Sequence, residues 1–578
     1  MAERDLPPPN ADLDAATAAV ADVAVIGFGP AGMVLTALLA RAGYRVVALE
    51  RYPGLYGLPR AAIFDDETMR TFASLGITGE LLPKVHAQRN YIWRNGDGEV
   101  LIEHEFAATG RSGWAEWYMM YQPDLEDALY RACRQEAGTD VRFGAVVTGI
   151  EQAPAGVTLH IDSPHGTGAP HGTGAPHGTG APHGTGAPPG RDPQVVRARY
   201  AVGCDGGNSF TRQALAIGQH DYGFAEPWLV CDFRLTRPVD LPAAMQVCDP
   251  RQPQSVISLG PGHHRFSFML DSAADVAVRR APEQIWQRVA GYLTPADAEL
   301  IRVATYTFRS LVADRWRAGR VLLAGDAAHE MPPFLGQGMC SGIRDAQNLA
   351  FKLDLILAGR AGDELLDTYQ GEREPHVRVV IEKGIELGRI QTMRDPAAAK
   401  ARDRDLLARR AARQAPEKIR FPGLTDGMLS GGLGPGRGEL FIQAIVSDGR
   451  RTGRFDEVAG TGFVLLATGP EYRRLAAAGL AGALRAAGVR VAGLVPPGAG
   501  TDAAAPRPAD GWLADVHGGY HRWLAERGSS AVAVRPDFYV YGCAAGQGGA
   551  ERLAAELLAD IGVTIANRTQ SLLPETDP

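Results

Sequence analysis

The chain runs to 578 residues yet has only six cysteines, Cys133, Cys204, Cys231, Cys248, Cys340 and Cys543, with no Cys-x-x-Cys pair and no regular spacing. That argues against a disulfide scaffold or a thiolate metal site and points to free thiols in a reducing cytoplasm. An excess of positive charge is missing too. Lys and Arg number 59 against 66 Asp and Glu, a formal net charge of −7, so nothing global attracts nucleic acid or an anionic membrane. The N-terminus, MAERDLPPPNADLDAATAAV, has early acids and a triple proline where a secretory signal has a basic start and an apolar core. One uncharged run, Val23 to Ala40, reaches 18 residues, just enough to span a bilayer. Its interior, GFGPAG, divides it into strand, tight turn and helix, which excludes a membrane span.

What is present predicts an α/β protein of three or four units, on a prior of one domain per ~150 residues. After a polar tail at 1–20, Val23 to Ile26 reads as a buried parallel strand, Ala31 to Ala42 as a helix ending at Gly43, and Arg45 to Glu50 as the next strand. GVTLHID and QVVRARYAVGCDG read as neighbouring strands interrupted by four copies of HGTGAP, His165 to Pro188. Such a composition fills no core, so 163–192 is expected to be a flexible hairpin tip, and the even spacing of His165, His171, His177 and His183 fixes no metal geometry.

The runs WLVCDFRL, QSVISLG and HHRFSFML predict an antiparallel sheet within 221–299. α/β pattern then returns, with a helix near 282–293, a strand at 320–326 and a helix at about 338–358. The expected architecture is a Rossmann-like unit in two pieces, 21–220 and 300–395, interleaved with the antiparallel-sheet substrate unit and followed by a helical linker at 396–437. From Gly438 a further α/β unit is expected over 438–570. Its strands are GELFIQAIV, TGFVLLA, VRVAGLV and SAVAVRPDFYVYG, and its helices LAAAGLAGALRAAG and GGYHRWLAER.

Three motifs carry chemistry. Gly27-Phe28-Gly29-Pro30-Ala31-Gly32 follows a strand and opens a helix, with Glu50 ending the next strand. Gly27 permits the turn, Gly29 lets backbone approach a pyrophosphate, Gly32 lets helix and strand pack, and Glu50 falls where a carboxylate accepts ribose hydroxyls. Cys204-Asp205-Gly206-Gly207-Asn208-Ser209 follows the strand YAVG, and Gly325-Asp326-Ala327-Ala328-His329 follows RVLLA and leads through Pro332, Pro333, Gly336, Gln337 and Gly338 into a helix. Both aspartates stand at the carboxyl edge of a strand, where open α/β sheets bind ligands.

GFGPAG, CDGGNS and GDAAHEMPPFLGQG, in this order, resemble the three fingerprints of the class A flavoprotein aromatic hydroxylases, the p-hydroxybenzoate and phenol hydroxylase group. PRAAIFDDETMRTFASLGI, VCDP, RFSFML, LLDTYQGERE and VRPDFYV extend the likeness over almost the whole chain, nearest to the 3-(3-hydroxyphenyl)propionate hydroxylase branch. The resemblance implies FAD as cofactor, NADH or NADPH as transient electron donor, and dioxygen and a small phenolic substrate as partners, with room for a homodimer. Oxygen would reach the ring through a flavin C4a-hydroperoxide.

Carried over by residue, the glycine motif and Glu50 hold the ADP half of FAD with Arg51 beside it, and Asp205 sits near the pyrophosphate. Asp326 binds the ribityl chain, and Arg60 and Gln122 lie by the isoalloxazine and ribityl groups. Gly336, Gly338 and Met339 present a helix N-terminus to the flavin. The Pro332 carbonyl would accept the phenolic proton, with Pro333, Phe266 and Phe268 in the substrate wall. No metal is implied. The last unit resembles the thioredoxin-like domain of phenol-hydroxylase relatives, though with Cys543 alone it has no thiol pair for exchange. Other readings are a different FAD-dependent oxidoreductase, such as a dehydrogenase or halogenase, or a non-catalytic flavin sensor. Against the halogenase, none of the eight tryptophans forms a Trp-x-Trp-x-Ile-Pro pattern.

Overall fold

Val23 and Val25 pack into one apolar cluster while Ala24 and Ile26 pack into another on the opposite face, so the first strand, Ala21–Ile26, is covered on both sides. Such two-sided burial is the condition of a parallel strand. The computed structural model that shows this describes residues 20–162, 194–271, 281–416, 418, 421–432, 434–498 and 511–563. The HGTGAP insert and the expected tail up to residue 19 lie outside the described residues. The parallel strands run in the order Thr139–Phe143, Val46–Glu50, Ala21–Ile26, Gln194–Gly203, Val321–Leu323. The two runs flanking the insert, Gly156–Asp162 and Gln194–Gly203, are antiparallel neighbours, as their alternation predicts. Helices Pro30–Arg41 and Gly338–Leu357 pack on each other against this sheet.

The second sheet differs from expectation in its extent. Its eight strands run His329–Glu330, Ala298–Ala313, Gln219–Leu235, His263–Met269, Gln254–Ser258, Ala244–Cys248, Asn90–Asn95 and Val100–Glu105. Strands from 90–105 and 298–330 therefore complete a sheet that sequence pattern confines to 221–299. Those strands are short or half exposed, so local alternation carries no sign of their distant partners. One face packs on helix Pro282–Val289 through Leu229, Cys231, Phe233, Phe266 and Phe268; the other, bearing Trp228, joins the core of the parallel-sheet unit.

The C-terminal sheet has Val464–Thr468 parallel to Arg490–Val495, with Ala531–Val534 antiparallel on its other side and Val540–Ala544 next. Two expectations are corrected here. SAVAVRPDFYVYG is a hairpin, not one strand, turning through Arg535 to Tyr539 with Phe538 at φ +72°. LAAAGLAGALRAAG is two helices, Gly469–Ala477 and Leu480–Ala486, broken at Gly479 (φ +74°). Among the described residues no helix is long and apolar enough to cross a membrane.

Candidate active site

The cleft forms at the carboxyl ends of the parallel strands. Gly27, at φ +95°, has no room for a side chain: a Cβ would lie 2.5 Å from the Cys204 carbonyl oxygen. A Cβ on Gly32 would lie 2.2 Å from the Gly27 carbonyl oxygen, so helix and turn touch through backbone. At Gly29 the Cβ direction is open for 4 Å. Helix Pro30–Arg41 starts there with no side-chain cap, leaving its first amides to face that space. The turn is therefore tight where it packs and open where an anion must enter, which fits a dinucleotide pyrophosphate.

Glu50 closes one side. Its carboxylate accepts hydrogen bonds from the Phe28 N–H (2.9 Å) and the Tyr52 N–H (3.0 Å), which fixes it and leaves lone pairs for ribose hydroxyls. Arg51 is exposed beside it, its guanidinium 5.1 Å from the Tyr52 ring centre. Arg60 is exposed over the Tyr56 ring at 4.5 Å.

Opposite, Asp326 stands on the short turn Gly325–Ala327 with its side chain open to solvent. The protein around it disfavours the charge and raises its pKa above the usual aspartate value, against the pull of His329 and Arg60. Beneath the turn, buried Asp345 accepts from the Gly325 N–H (3.0 Å), His329 Nε2 (2.7 Å) and Arg373 Nε (3.0 Å). His329 is thus a buried structural partner. A Cβ on Gly342 would come within 3.0 Å of the Gly325 Cα, so only a glycine lets helix Gly338–Leu357 lie against this turn. Gly336 turns into that helix at φ +62°, and Gly338 and the half-buried Met339 form its uncapped start.

Several site residues expected to touch ligand are engaged in scaffold instead. Asp205 accepts from Ser209 Oγ (2.5 Å) and from the Thr211 N–H (2.9 Å) and Oγ1 (3.0 Å), so it caps its own loop. Gln122 is buried; its Oε1 accepts from the Arg60 and Ala61 N–H groups (3.0 and 2.6 Å) and its Nε2 donates to Glu126. Pro332 is buried with its ring and carbonyl against Gly384 of helix Thr368–Gln391, while Pro333 is exposed. Phe266 and Phe268 are corrected outright: their strand positions pair with Cys231 and Leu229 on the face covered by helix Pro282–Val289. Period-two alternation names two faces but not which one meets the cleft.

A buried aromatic cluster on the other face of this sheet went unpredicted. Trp228, Phe224 and Phe308 surround Phe334 at ring separations of 5.9 to 6.4 Å. The Phe334 carbonyl accepts from Tyr91 Oη (3.3 Å), which joins a polar set of Gln246, Ser255 and Gln391. Arg212 ties two motifs together, donating to the Ala327 carbonyl (3.0 Å) and the Gly207 carbonyl (2.7 Å). On the sheet, buried Asp232 pairs with Arg265 (2.7 Å) and Arg302 (3.3 Å). Both arginines donate to the Pro59 carbonyl, and Arg265 also donates to that of Arg60. An arginine closing CDGGNSFTR and another inside the strand HHRFSFML were the available signal.

Comparison with known proteins agrees with this geometry. The FAD binding domain family matches residues 20–173 and 176–383, and the HcaD C-terminal domain matches 438–560. The chain belongs to this FAD-binding family, and it is an FAD-dependent aromatic hydroxylase, a monooxygenase that uses a nicotinamide as reductant. It is 48% identical to a probable NADH-specific resorcinol 4-hydroxylase of Rhodococcus jostii over 93% of this chain and 95% of that one. A 3-(3-hydroxy-phenyl)propionate/3-hydroxycinnamic acid hydroxylase of Mycobacterium sp. (strain JLS) is 32% identical over 91% and 89%. In fold, the flavin-dependent monooxygenase PieE, solved with FAD and substrate, superposes with a TM-score of 0.74 at 23% identity over 94% of this chain and all of the other. Aklavinone-11 hydroxylase does so at 0.69, with 24% identity over 94% and 99%.

Proposed function

We propose that the enzyme hydroxylates a small neutral phenol of the resorcinol type, with NADH as reductant. The observation that carries this reading is the charge pattern on the cleft side of the antiparallel sheet. Arg265 and Arg302 are held there by Asp232 and by the Pro59 and Arg60 carbonyls, and Arg234, on the same face of its strand, pairs with Glu299. Strand alternation puts Glu226 on the same face as Trp228 and Asp232, adding negative charge. Each of these arginines already has a carboxylate or carbonyl partner, so a substrate carboxylate would find none of them uncommitted, whereas hydroxyl groups suit the neutral Trp, Phe, Tyr and Gln wall. The 48% identity to a protein named as an NADH-specific resorcinol hydroxylase supports the same reading.

In this reading the amides of Ala31 and Gly32 bind the pyrophosphate, Glu50 the ribose, Asp326 the ribityl hydroxyls, and the start of helix Gly338–Leu357 the pyrimidine edge of the flavin. Bound FAD supplies the redox chemistry, passing electrons from the nicotinamide to dioxygen. The chain's own part is to orient the phenol and exclude water with Trp228, Phe308 and Phe334. The C-terminal unit is read as thioredoxin-like on its strand order, Arg490–Val495, Val464–Thr468, Ala531–Val534, Val540–Ala544, without a thiol pair.

The test is kcat/KM for ring hydroxylation by the FAD-loaded enzyme with resorcinol and with 3-(3-hydroxyphenyl)propionate, using NADH and NADPH in turn. Resorcinol is expected to be favoured by about tenfold or more, corresponding to ~1.4 kcal/mol. Equal or reversed preference would refute the neutral-substrate reading. Asp326→Ala should weaken FAD retention; unchanged flavin content would remove Asp326 from its role.

A further inference from the structure

The long helix Gly338–Leu357 is buried along most of its length, and its buried face is not only apolar. Arg344, Asn348 and Lys352 recur every fourth residue, so they line one side. Arg344 donates to Gln337 Oε1 (3.0 Å) just before the helix, and to Glu67 (2.7 Å) and Asp65. Asn348 donates to Glu372 (2.7 Å) and to Asp537 (3.1 Å). Lys352 pairs with Glu372 at 3.1 Å.

Asp537 comes from the hairpin turn of the C-terminal sheet, and so does Arg535. Arg535 has its side chain fully buried and is bonded to Glu372 (2.5 Å), Asp537 (2.6 Å) and the Met428 carbonyl (3.0 Å). Its guanidinium also lies 4.9 Å from the ring centre of Phe351, a residue of the same helix. The turn thus enters the parallel-sheet unit as a plug. Phe538 holds a left-handed conformation that a non-glycine residue adopts only where its surroundings impose it.

We propose that the Arg535–Asp537 turn positions the Gly338 end of this helix, so that the C-terminal unit sets the flavin environment without contacting flavin. An α-helix is a stiff rod. Asn348 is ten residues, about 15 Å, from Gly338, and a shift at one point is passed to the other. The amides at that end carry the partial positive charge of the helix, and their distance from the flavin governs how readily the reduced, anionic form accumulates. Arg535, Asp537 and Asn348 are positioning residues. The inference rests on the placement of the flavin pyrimidine edge at Gly338.

The experiment compares four full-length, FAD-loaded variants: Asp537→Asn, Arg535→Lys, Arg454→Met and Gly342→Val. The readouts are thermal midpoint, the visible flavin absorption bands, and the rate of flavin reduction by NADH with substrate bound. Asp537→Asn keeps shape and should fold. Arg454→Met loosens the same interface elsewhere, by removing the bond from Arg454 Nε to the Gly113 carbonyl (2.7 Å). Gly342→Val displaces the helix directly.

Asp537→Asn is expected to shift the flavin bands and slow reduction by about three- to tenfold, with substrate KM within about twofold, and Arg535→Lys to retain part of the wild-type rate. Arg454→Met should lower the thermal midpoint and leave the flavin unchanged. If Asp537→Asn lowers only the midpoint, or Arg454→Met shifts the flavin equally, the proposal falls. If Gly342→Val shifts the bands and Asp537→Asn does not, the coupling is refuted and the flavin placement survives. If neither shifts them, the placement itself is wrong and the proposal goes with it.

Discussion

Two buried arginine–carboxylate clusters fasten neighbouring units to the cofactor cleft, and they grip different things. Around Asp232, Arg265 and Arg302 hold the backbone carbonyls of Pro59 and Arg60, a stretch with no regular structure. At the other cluster, Arg535 pairs with Glu372 and Asp537 accepts from Asn348, ten residues from the start of its helix. A loop cannot transmit position, so it must be gripped where it is used. A helix can be gripped at a distance because its own hydrogen bonds carry the constraint. Mobility in the first region is therefore a local matter, whereas in the second it belongs to the whole rod.

The contrast is open to four measurements. The largest effect is expected at Asp232→Ala, which leaves Arg265 and Arg302 buried without a counter-ion; about 3–5 kcal/mol should be lost in denaturant unfolding, with flavin retention falling as the 59–60 segment loosens. A loss under 1 kcal/mol would show that the loop holds itself. Next, Gly342→Val forces side-chain atoms into the 3.0 Å approach to Gly325, at about 1–3 kcal/mol by the same method, and the FAD Kd should rise about tenfold.

Third is a pH effect confined to the helix cluster. Burial pushes Lys352 down from its ordinary 10.5 to about 8, against the pull of Glu372. Between these values the unfolded chain holds a proton that the folded chain lacks, so stability rises with pH in that window. Relative to Lys352→Met, the wild type should gain about 1 kcal/mol per pH unit from pH 8 to 10. A flat difference would mean that Lys352 titrates normally. The smallest change is expected at Arg234→Ala, two residues from Asp232 but with a side chain 60% exposed in its pair with Glu299. Unfolding free energy should stay within about 0.5 kcal/mol of wild type, and a larger loss would erase the distinction between held and solvated arginines.

Sequence pattern succeeded wherever the chain's local neighbours determine its structure. The strand, glycine turn and helix from Val23 to Arg41 and the helix from Gly338 are legible because a turn at positive φ and a period of 3.6 are written in adjacent residues. It failed where a decision depends on distant contacts. Alternation cannot say which face of His263–Met269 meets the cleft, so Phe266 and Phe268 fell on the wrong side and Trp228 went unnamed. VRPDFYV looks like strand because its apolar residues alternate. Its Arg and Asp are buried only because Glu372 and Asn348 wait on other helices, and that pairing spans 163 and 189 positions of sequence. Asp205 and Gln122 were recognised as motif positions, but which partner occupies each oxygen is a three-dimensional fact.

The order of the parallel strands has a consequence for how the enzyme is made. Val321–Leu323 lies beside Gln194–Gly203, and the helix that meets the Gly325 turn extends to Leu357. During synthesis the chain emerges N-terminal end first, so most of the second sheet, from Gln219 to Ala313, is produced between these neighbours. A nascent chain that has exposed its glycine turn but not yet residue 357 presents half a cradle. On the proposed placement of the flavin, loading is a late event in the birth of this protein, and chains released before residue 357 are expected to lack its colour.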